Sequence, residues 1–542
     1  MIEVEVHQQL RAFLREQGEP YWPHHLTMAR LVARALRLGR SALIQAGAPS
    51  GYHGRYRLSY LMPLLIWQGS AIVVAPEAVQ QRLLMVEIPR LRQWIATTKP
   101  IRTGEHWLGE EFQGLLLTTP QSWLSDRLNH EGRFPTNIPT ILDGVDDLET
   151  WARDLLTAQL CPQDWDKLMA AYPQQTEQIR DARVQLTRSI FQHPVNPYDC
   201  YLVEPQEQEI LAQLFIDLQD LQIDVQTEET ANAADKAMDR APACSWSVDT
   251  PIAGLPDAWQ RFQRQFAATG QLLWTEVARQ QGQFSLHCAP AEVASALTPI
   301  WAQQPVVLIG GSLDLEPNAA VFRQRLGLED LTCLKFSPDR QHELIQLYLP
   351  DGLPMPNTPQ FQPVLMQEIR ALLTATNAAN QGLTVLLVGD MPLKGQIGSM
   401  LAGELGSRVQ VEKTCLDDNG ILVTGWEFWR QHQAVLPAPQ LLIITTLPLP
   451  SLENPLVAGQ VAHLKRQRQD WFRLYLLPAA LSELQRAIAP VRDAQGVVAL
   501  LDNRVNHRSY GQQVLAALSP LARINYVDAS LFNPFEGLGT RD

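Results

Sequence analysis

Short, unbroken apolar runs recur along the chain and alternate with stretches of helical period. Ser41-Ala42-Leu43-Ile44, Ala71-Ile72-Val73-Val74, Gly114-Leu115-Leu116-Leu117 and Pro139-Thr140-Ile141-Leu142 are the first four. Each is too short for a helix and has no polar face. That is the pattern of a strand buried on both sides in a parallel sheet. Ahead of them the periodicity predicts two amphipathic helices broken at Glu19-Pro20. The second runs from Leu26 to Leu38, with Met28, Leu31, Val32, Ala35 and Leu36 on one side. The strand pattern resumes at 305–309 and recurs at 384–388, 420–423, 441–444 and 497–501. Strands alternating with helices predict an α/β fold with two parallel-sheet domains.

From about 150 to 300 the pattern is mostly helical and rich in Gln, Leu and Ala, with few strand runs. Thr227 to Cys244 is polar and Ala-rich, as an exposed linker would be. This block reads as an insertion. The predicted organisation is 1–150 for the first part of domain 1, 151–300 for the insertion, 301–334 for the return and 335–542 for domain 2. Pro350 to Pro363 reads as an extended connection. Leu58 to Pro76 carries no charge, but Pro63, Gln68, Gly69 and Ser70 divide it. A buried helix followed by a buried strand is expected there, rather than a membrane span of about 20 apolar residues.

Composition narrows the function classes. The chain has 542 residues, 46% hydrophobic and 19% charged, which is globular. Lys plus Arg number 44 against 57 Asp plus Glu, a net charge of −13. Nucleic-acid binding by bulk positive charge is excluded, while a local basic groove is not. The six cysteines (161, 200, 244, 288, 333 and 415) form no CxxC pair, and no signal peptide is expected ahead of them. A reducing, cytoplasmic setting without an iron–sulfur cluster is expected.

An ordered series of short segments then stands out. Ala46-Gly47-Ala48-Pro49-Ser50-Gly51 follows a strand and precedes a helix with Tyr60-Leu61-Met62-Pro63. Thr118-Thr119-Pro120 and Ile141-Leu142-Asp143-Gly144-Val145-Asp146 come next. Phe428-Trp429, Leu477-Pro478 with Gln485 and Arg492, Val497-Val498 with Asp502 and Arg504, and Tyr510-Gly511 follow. In this order and spacing the series resembles the DinG/XPD family of superfamily 2 DNA helicases over nearly the whole chain. The resemblance implies two RecA-like domains that clamp ATP and Mg²⁺, an arch-like helical insertion in the first, and movement along single-stranded DNA.

The motifs depart from the family at the chemically active positions. The phosphate loop should end in Gly-Lys-Thr, whose Lys reaches the phosphates and whose hydroxyl binds Mg²⁺. Gly51 is followed instead by Tyr52 and His53, and a shifted reading through Gly54-Arg55-Tyr56 supplies a cation without the hydroxyl. In place of Asp-Glu-Ala-His stands Asp143-Gly144-Val145-Asp146, so the Mg²⁺ carboxylate survives as Asp143 and the water-orienting Glu does not. The adenine-reading Gln corresponds to His25 in Trp22-Pro23-His24-His25. The motif coupling ATP to DNA reads Ile309-Gly310-Gly311-Ser312-Leu313. The last motif retains Gln485 and Arg492, while its arginine finger is Ala489. These groups act on one transition state, where electrostatic stabilisation supplies nearly all the catalysis. The stretch from Pro89 to Leu115 is short and lacks Cys, so the family's iron–sulfur domain is not expected.

The candidate site is therefore Asp143 as residual metal ligand, with Gly47, Gly51, Gly54, Arg55, Gln485 and Arg492 around any nucleotide. Basic and aromatic residues are the candidate nucleic-acid contacts: Arg30, Arg34, Arg37, Lys465, Arg466, Arg468, Trp471, Arg504 and Arg508. Three functions fit. The first is a helicase-like nucleic-acid-binding scaffold that has lost ATP hydrolysis. The second is an active, divergent ATP-dependent DNA helicase using Arg55, Asp143 and Arg492. The third is a protein-interaction subunit that binds partners through the helical insertion.

Overall fold

The computed structural model describes residues 1–17, 22–48, 53–231, 252, 254–329, 331–338, 343–378 and 382–527. The four early apolar runs lie in parallel strands: β1 (Ala42–Gln45), β2 (Ala71–Val74), β4 (Leu115–Thr118) and β5 (Thr140–Asp143). With β3 (Ile101–Thr103), β10 (Val306–Gly310) and β11 (Thr332–Lys335) they form a seven-stranded sheet of order β11-β1-β10-β5-β2-β4-β3. β1, β2, β4, β5 and β10 are buried along their whole length, which is why their sequences show no alternation. The edge strands β3 and β11 are partly exposed and mixed in composition, so they were not legible as apolar runs.

That strand order positions the site. β10 lies between β1 and β5, with Ile44 opposite Ile309 and Ile309 opposite Asp143. The loops leaving these three strands therefore emerge side by side, although their sequences lie far apart. Parallel sheets gather their functional loops at the carboxyl ends of neighbouring strands in this way.

Two helices precede the sheet, α1 (Ile2–Gln17) and α2 (His25–Leu38). Val6, Leu10 and Phe13 of α1 and Met28, Val32 and Leu36 of α2 are buried in one core with the sheet. Gly39 ends α2 in the left-handed conformation, its N–H returning to the Ala35 carbonyl. The uncharged stretch folds as expected, into the helix Arg57–Ile66 and then β2. No helix among the described residues is long and apolar enough to cross a membrane.

The second parallel sheet has the order β14-β15-β13-β16-β17-β12-β18. Its strands are β12 (Ile345–Tyr348), β13 (Thr384–Leu387), β14 (Val409–Val411), β15 (Ile421–Thr424), β16 (Leu441–Ile444), β17 (Val497–Leu500) and β18 (Leu521–Ile524). The apolar runs at 384–388, 420–423, 441–444 and 497–501 supply its centre. Pro363 lies within the helix Phe361–Ala378, in its first turn, where a missing N–H costs nothing. The extended connection is thus shorter than the proline spacing suggested.

Contacts group the two sheets, residues Met1–Leu148, Ala296–Leu449 and Leu476 onward, as one unit. Glu149–Ser295 with Pro450–Tyr475 form the other. This inserted unit is largely helical, but it also holds an antiparallel sheet of order β6-β9-β8-β7. Its strands are β6 (Ala158–Leu160), β7 (Cys200–Leu202), β8 (Gln271–Ala278) and β9 (Gln283–Pro290). β8 and β9 form a hairpin turning at Gly282, a feature not read from the sequence. Trp165 and Trp259 meet edge to face at 4.9 Å in its core. The helix Pro455–Arg466 belongs here because Gly459 lets it lie against Leu272 and Leu202. Most of the Thr227 to Cys244 segment lies outside the described residues; Thr227 to Ala231 end the helix Pro205–Ala231.

Candidate functional site

Asp143 ends β5 and is 1% exposed. Tyr56, Arg57 and Tyr60 reach it from the start of the helix that follows the phosphate-loop segment. One carboxylate oxygen accepts from the Tyr56 hydroxyl. The other accepts from Arg57 Nε at 3.1 Å and the Tyr60 hydroxyl at 2.8 Å. The spacing of Tyr56 and Tyr60 puts both on one helical face, with Arg57 beside them. Gly54 makes the approach possible: a side chain there would collide with the Arg57 guanidinium. Burial opposes the charge on Arg57, yet the Asp143 carboxylate together with Tyr56 and Tyr60 outweighs it and raises its pKa. Burial and the Asp143 charge also keep both tyrosine hydroxyls protonated.

Asp146, one turn on, is a second anchor. Its carboxylate accepts from the Ser312 N–H at 2.6 Å and the Gly311 N–H at 2.8 Å. Gly310 has no side chain to block it, since a Cβ would come within 2.8 Å of Asp146 Oδ2. The β5 and β10 loops are thereby fixed to each other. Asp146 therefore serves to satisfy two loop amides.

The position aligned with the adenine-reading Gln is filled by aromatic packing. His25 is buried with Nδ1 2.9 Å from the Ser59 hydroxyl. Burial, with His24 adding to it, pushes its pKa down to about 4. Trp22 packs edge to face on His24, His25 and Phe336, and His24 stacks on Phe336 at 4.7 Å.

The two sheet domains meet directly across the cleft. Arg55 Nη2 lies 2.5 Å from Asp493 Oδ1, and His53 Nε2 lies 2.9 Å from Asp493 Oδ2. His53 and Arg55 together hold the Asp493 carboxyl below its ordinary range. Arg486 pairs with Asp147 at 2.7 Å. The Ser312 hydroxyl donates to Gln485, and Ser482 donates to the Ser312 carbonyl at 3.1 Å. Beside Arg486, burial pushes the Glu483 carboxyl up, with Arg430 and Arg486 partly offsetting it.

The predicted site residues thus separate into groups. Asp143, Gly54, Arg55 and Gln485 converge on the cleft. Gly47 follows β1 with φ +89°, and Gly51 lies outside the described residues. Arg492 is a correction: its guanidinium is buried and donates to the carbonyls of Glu343, Leu518, Ser519 and Pro520. It holds the second domain together and offers nothing to a phosphate. Arg504 is likewise held, by its own Asp502 at 2.6–3.0 Å. Lys465 and Arg466 are exposed at the end of their helix, with Lys465 Nζ 5.0 Å over the Trp471 ring. Arg30 and Arg34 are exposed on α2, near the amino ends of β1 and β11 rather than at the cleft. Sequence reading missed Tyr56, Arg57, Tyr60, Arg486 and Asp493. Only the Tyr56–Tyr60 spacing beside an Arg hinted at them.

These residues do not fit a magnesium nucleotide. Both Asp143 oxygens are engaged, one by a guanidinium where the metal's charge would act. A cavity of about 190 Å³ is bordered by His25, His53, Gly54 and Arg55 and does not include Asp143 in its lining. Small-molecule sites are usually about 300–1,000 Å³. Among the described residues, no group of three His, Cys, Asp or Glu could hold a metal ion.

The fold is thus two RecA-like parallel-sheet domains joined across a cleft, the first interrupted by a largely helical inserted unit. A family model for the helicase C-terminal domain matches residues 437–521. ATP-dependent DNA helicase YoaA of Haemophilus influenzae is 27% identical over 257 residues, covering 44% of this chain and 40% of that protein. YoaA of Escherichia coli is 27% identical over 270 residues, covering 47% and 42%. The match therefore spans less than half the length of either relative. An apo XPD structure shares the fold with TM-score 0.56 at 13% identity, covering 92% of this chain and 100% of that one. Xpd4 of S. tokodaii gives TM-score 0.54 at 11% identity, covering 93% and 100%. The chain is thus similar to helicases of this kind, through its C-terminal domain in sequence and through its two-sheet fold in structure.

Proposed function

We propose that this chain is a helicase-like scaffold that binds single-stranded DNA and does not hydrolyse ATP. The observation that carries this reading is the occupation of Asp143. In a working motor this carboxylate holds Mg²⁺. Here Arg57 supplies the countercharge and two tyrosine hydroxyls donate to the same carboxylate, so both of its oxygens are engaged. The pairs across the cleft support the same reading, because they join the domains through protein groups where the family uses phosphate. The DNA half of the proposal is supported by the relatives, which are named ATP-dependent DNA helicases. Lys465 and Arg466 beside Trp471 combine charge and an aromatic face, the two elements that single strands bind.

The test is phosphate release from ATP by the purified chain, with and without single-stranded DNA, beside an Asp143→Asn variant. We expect no turnover above the variant in either condition, while fluorescence anisotropy registers DNA binding by both proteins. DNA-stimulated turnover that disappears in Asp143→Asn would identify an active, divergent helicase instead.

A further inference from the structure

α1 and α2 diverge at the amino ends of β1 and β11 and leave a cleft of about 750 Å³. It lies at the end of the first sheet opposite Asp143, since Ala42 and Thr332 begin their strands while Asp143 ends its own. Arg30, Arg34 and Arg37 border it at helical spacings of four and three, so they share one face of α2 over about 10 Å. Arg40, just past the helix, extends the row. Arg37 pairs with Glu3 at 2.7 Å. Arg30, Arg34 and Arg40 are exposed and make no ion pair among the described residues. The same cleft exposes aliphatic surface: Val4 is 50% exposed and Leu38 39%.

We propose that this cleft is a docking site for an acidic, amphipathic peptide segment of a partner protein. Four guanidinium groups face one carboxylate, Glu3, and outweigh the roughly half negative charge at the end of the α2 dipole. Guanidinium forks bind carboxylates bidentately, which suits a row of acidic side chains. Val4 and Leu38 provide what such a segment needs for its apolar face, as in helix-in-groove recognition. A nucleic-acid strand fits less well. Among the described residues no Phe, Tyr or Trp lines the cleft for base stacking. A long polyanion would also leave the arginine row and meet a chain of net charge −13. A short peptide stays within about one Debye length, ~8 Å, of the arginines.

The experiment is fluorescence anisotropy with the full chain and three labelled probes. These are an amphipathic peptide of Glu and Leu, its counterpart with Gln for Glu, and oligothymidylate. The Glu/Leu peptide is expected to bind saturably and more tightly than the Gln/Leu peptide. Arg30→Glu with Arg34→Glu should weaken it about tenfold or more. Val4→Ser with Leu38→Ser should weaken it several-fold at unchanged charge. All four residues are exposed, and thermal unfolding verifies that both variants fold. The proposal is overturned if the Glu/Leu peptide does not saturate, or if both variants bind it as the parent does. It is equally overturned if the arginine variant loses oligothymidylate and keeps the peptide, since the cleft would then be a nucleic-acid surface.

Discussion

Asp143 is the residue on which the functional reading turns, and its surroundings make that reading measurable. Arg57→Ala would leave a carboxylate buried without its cation, which costs about 3–5 kcal/mol. Urea unfolding should register a loss of that size. Arg57→Met combined with Asp143→Leu should recover most of it, because removing both charges also removes their desolvation cost. Tyr60→Phe removes one hydrogen bond to a charged group and should cost about 1.5–3 kcal/mol. His25 supplies a pH signature. Its folded pKa of about 4 lies below the ordinary 6.5, so the folded chain keeps the ring neutral while the unfolded chain takes up a proton. Stability is therefore fully present above pH 6.5 and is lost as pH falls towards 4. The share due to His25 is about 2–3 kcal/mol. Wild type should lose that much more stability between pH 7 and pH 4 than His25→Gln, measured by urea midpoints at each pH.

At the scale of elements, the carboxyl ends of β1, β5 and β10 hold the first domain's half of the cleft, and the helices Leu477–Ala487 and Ala489–Asp493 hold the other half. Arg55–Asp493 and Arg486–Asp147 are partly exposed, so each contributes at most about 1 kcal/mol. Removing both pairs with Asp493→Ala and Asp147→Ala should widen the cleft. Energy transfer between dyes on the two sheet domains should then fall without added nucleotide. High salt should reproduce part of that fall in the wild type, since exposed pairs are screened. The elements were legible to different degrees for a physical reason. β1, β2, β5, β13, β16 and β17 are buried on both faces and read as apolar runs. β8 and β9 lie in an antiparallel sheet with residues such as Glu276 and Ser285 turned outward, so their pattern is diluted. The helix Pro455–Arg466 read as part of the second domain because nothing local records that Gly459 fits against Leu272.

For the whole molecule, a net charge of −13 means that any nucleic-acid contact must be local and strongly salt-dependent. Lys465→Ala with Arg466→Ala should weaken single-stranded DNA binding. The slope of log affinity against log salt should fall by about 1.4, from two phosphate contacts at ~0.7 each. Arg504→Ala should leave that slope unchanged and lower stability, because its guanidinium belongs to Asp502.

The parallel sheets, the helical insertion and the resemblance to helicases were determined by the sequence alone, because burial on both faces and motif order are written locally. The absence of the lysine, the Mg²⁺ hydroxyl, the water-orienting glutamate and the arginine finger was also legible there. What replaced them was decided only by the tertiary structure. Arg57 meets Asp143, Arg55 meets Asp493, and Arg492 turns to its own carbonyls instead of the cleft. A charged side chain shows its type in sequence but not its partner. Its partner depends on which strand ends the sheet order brings together.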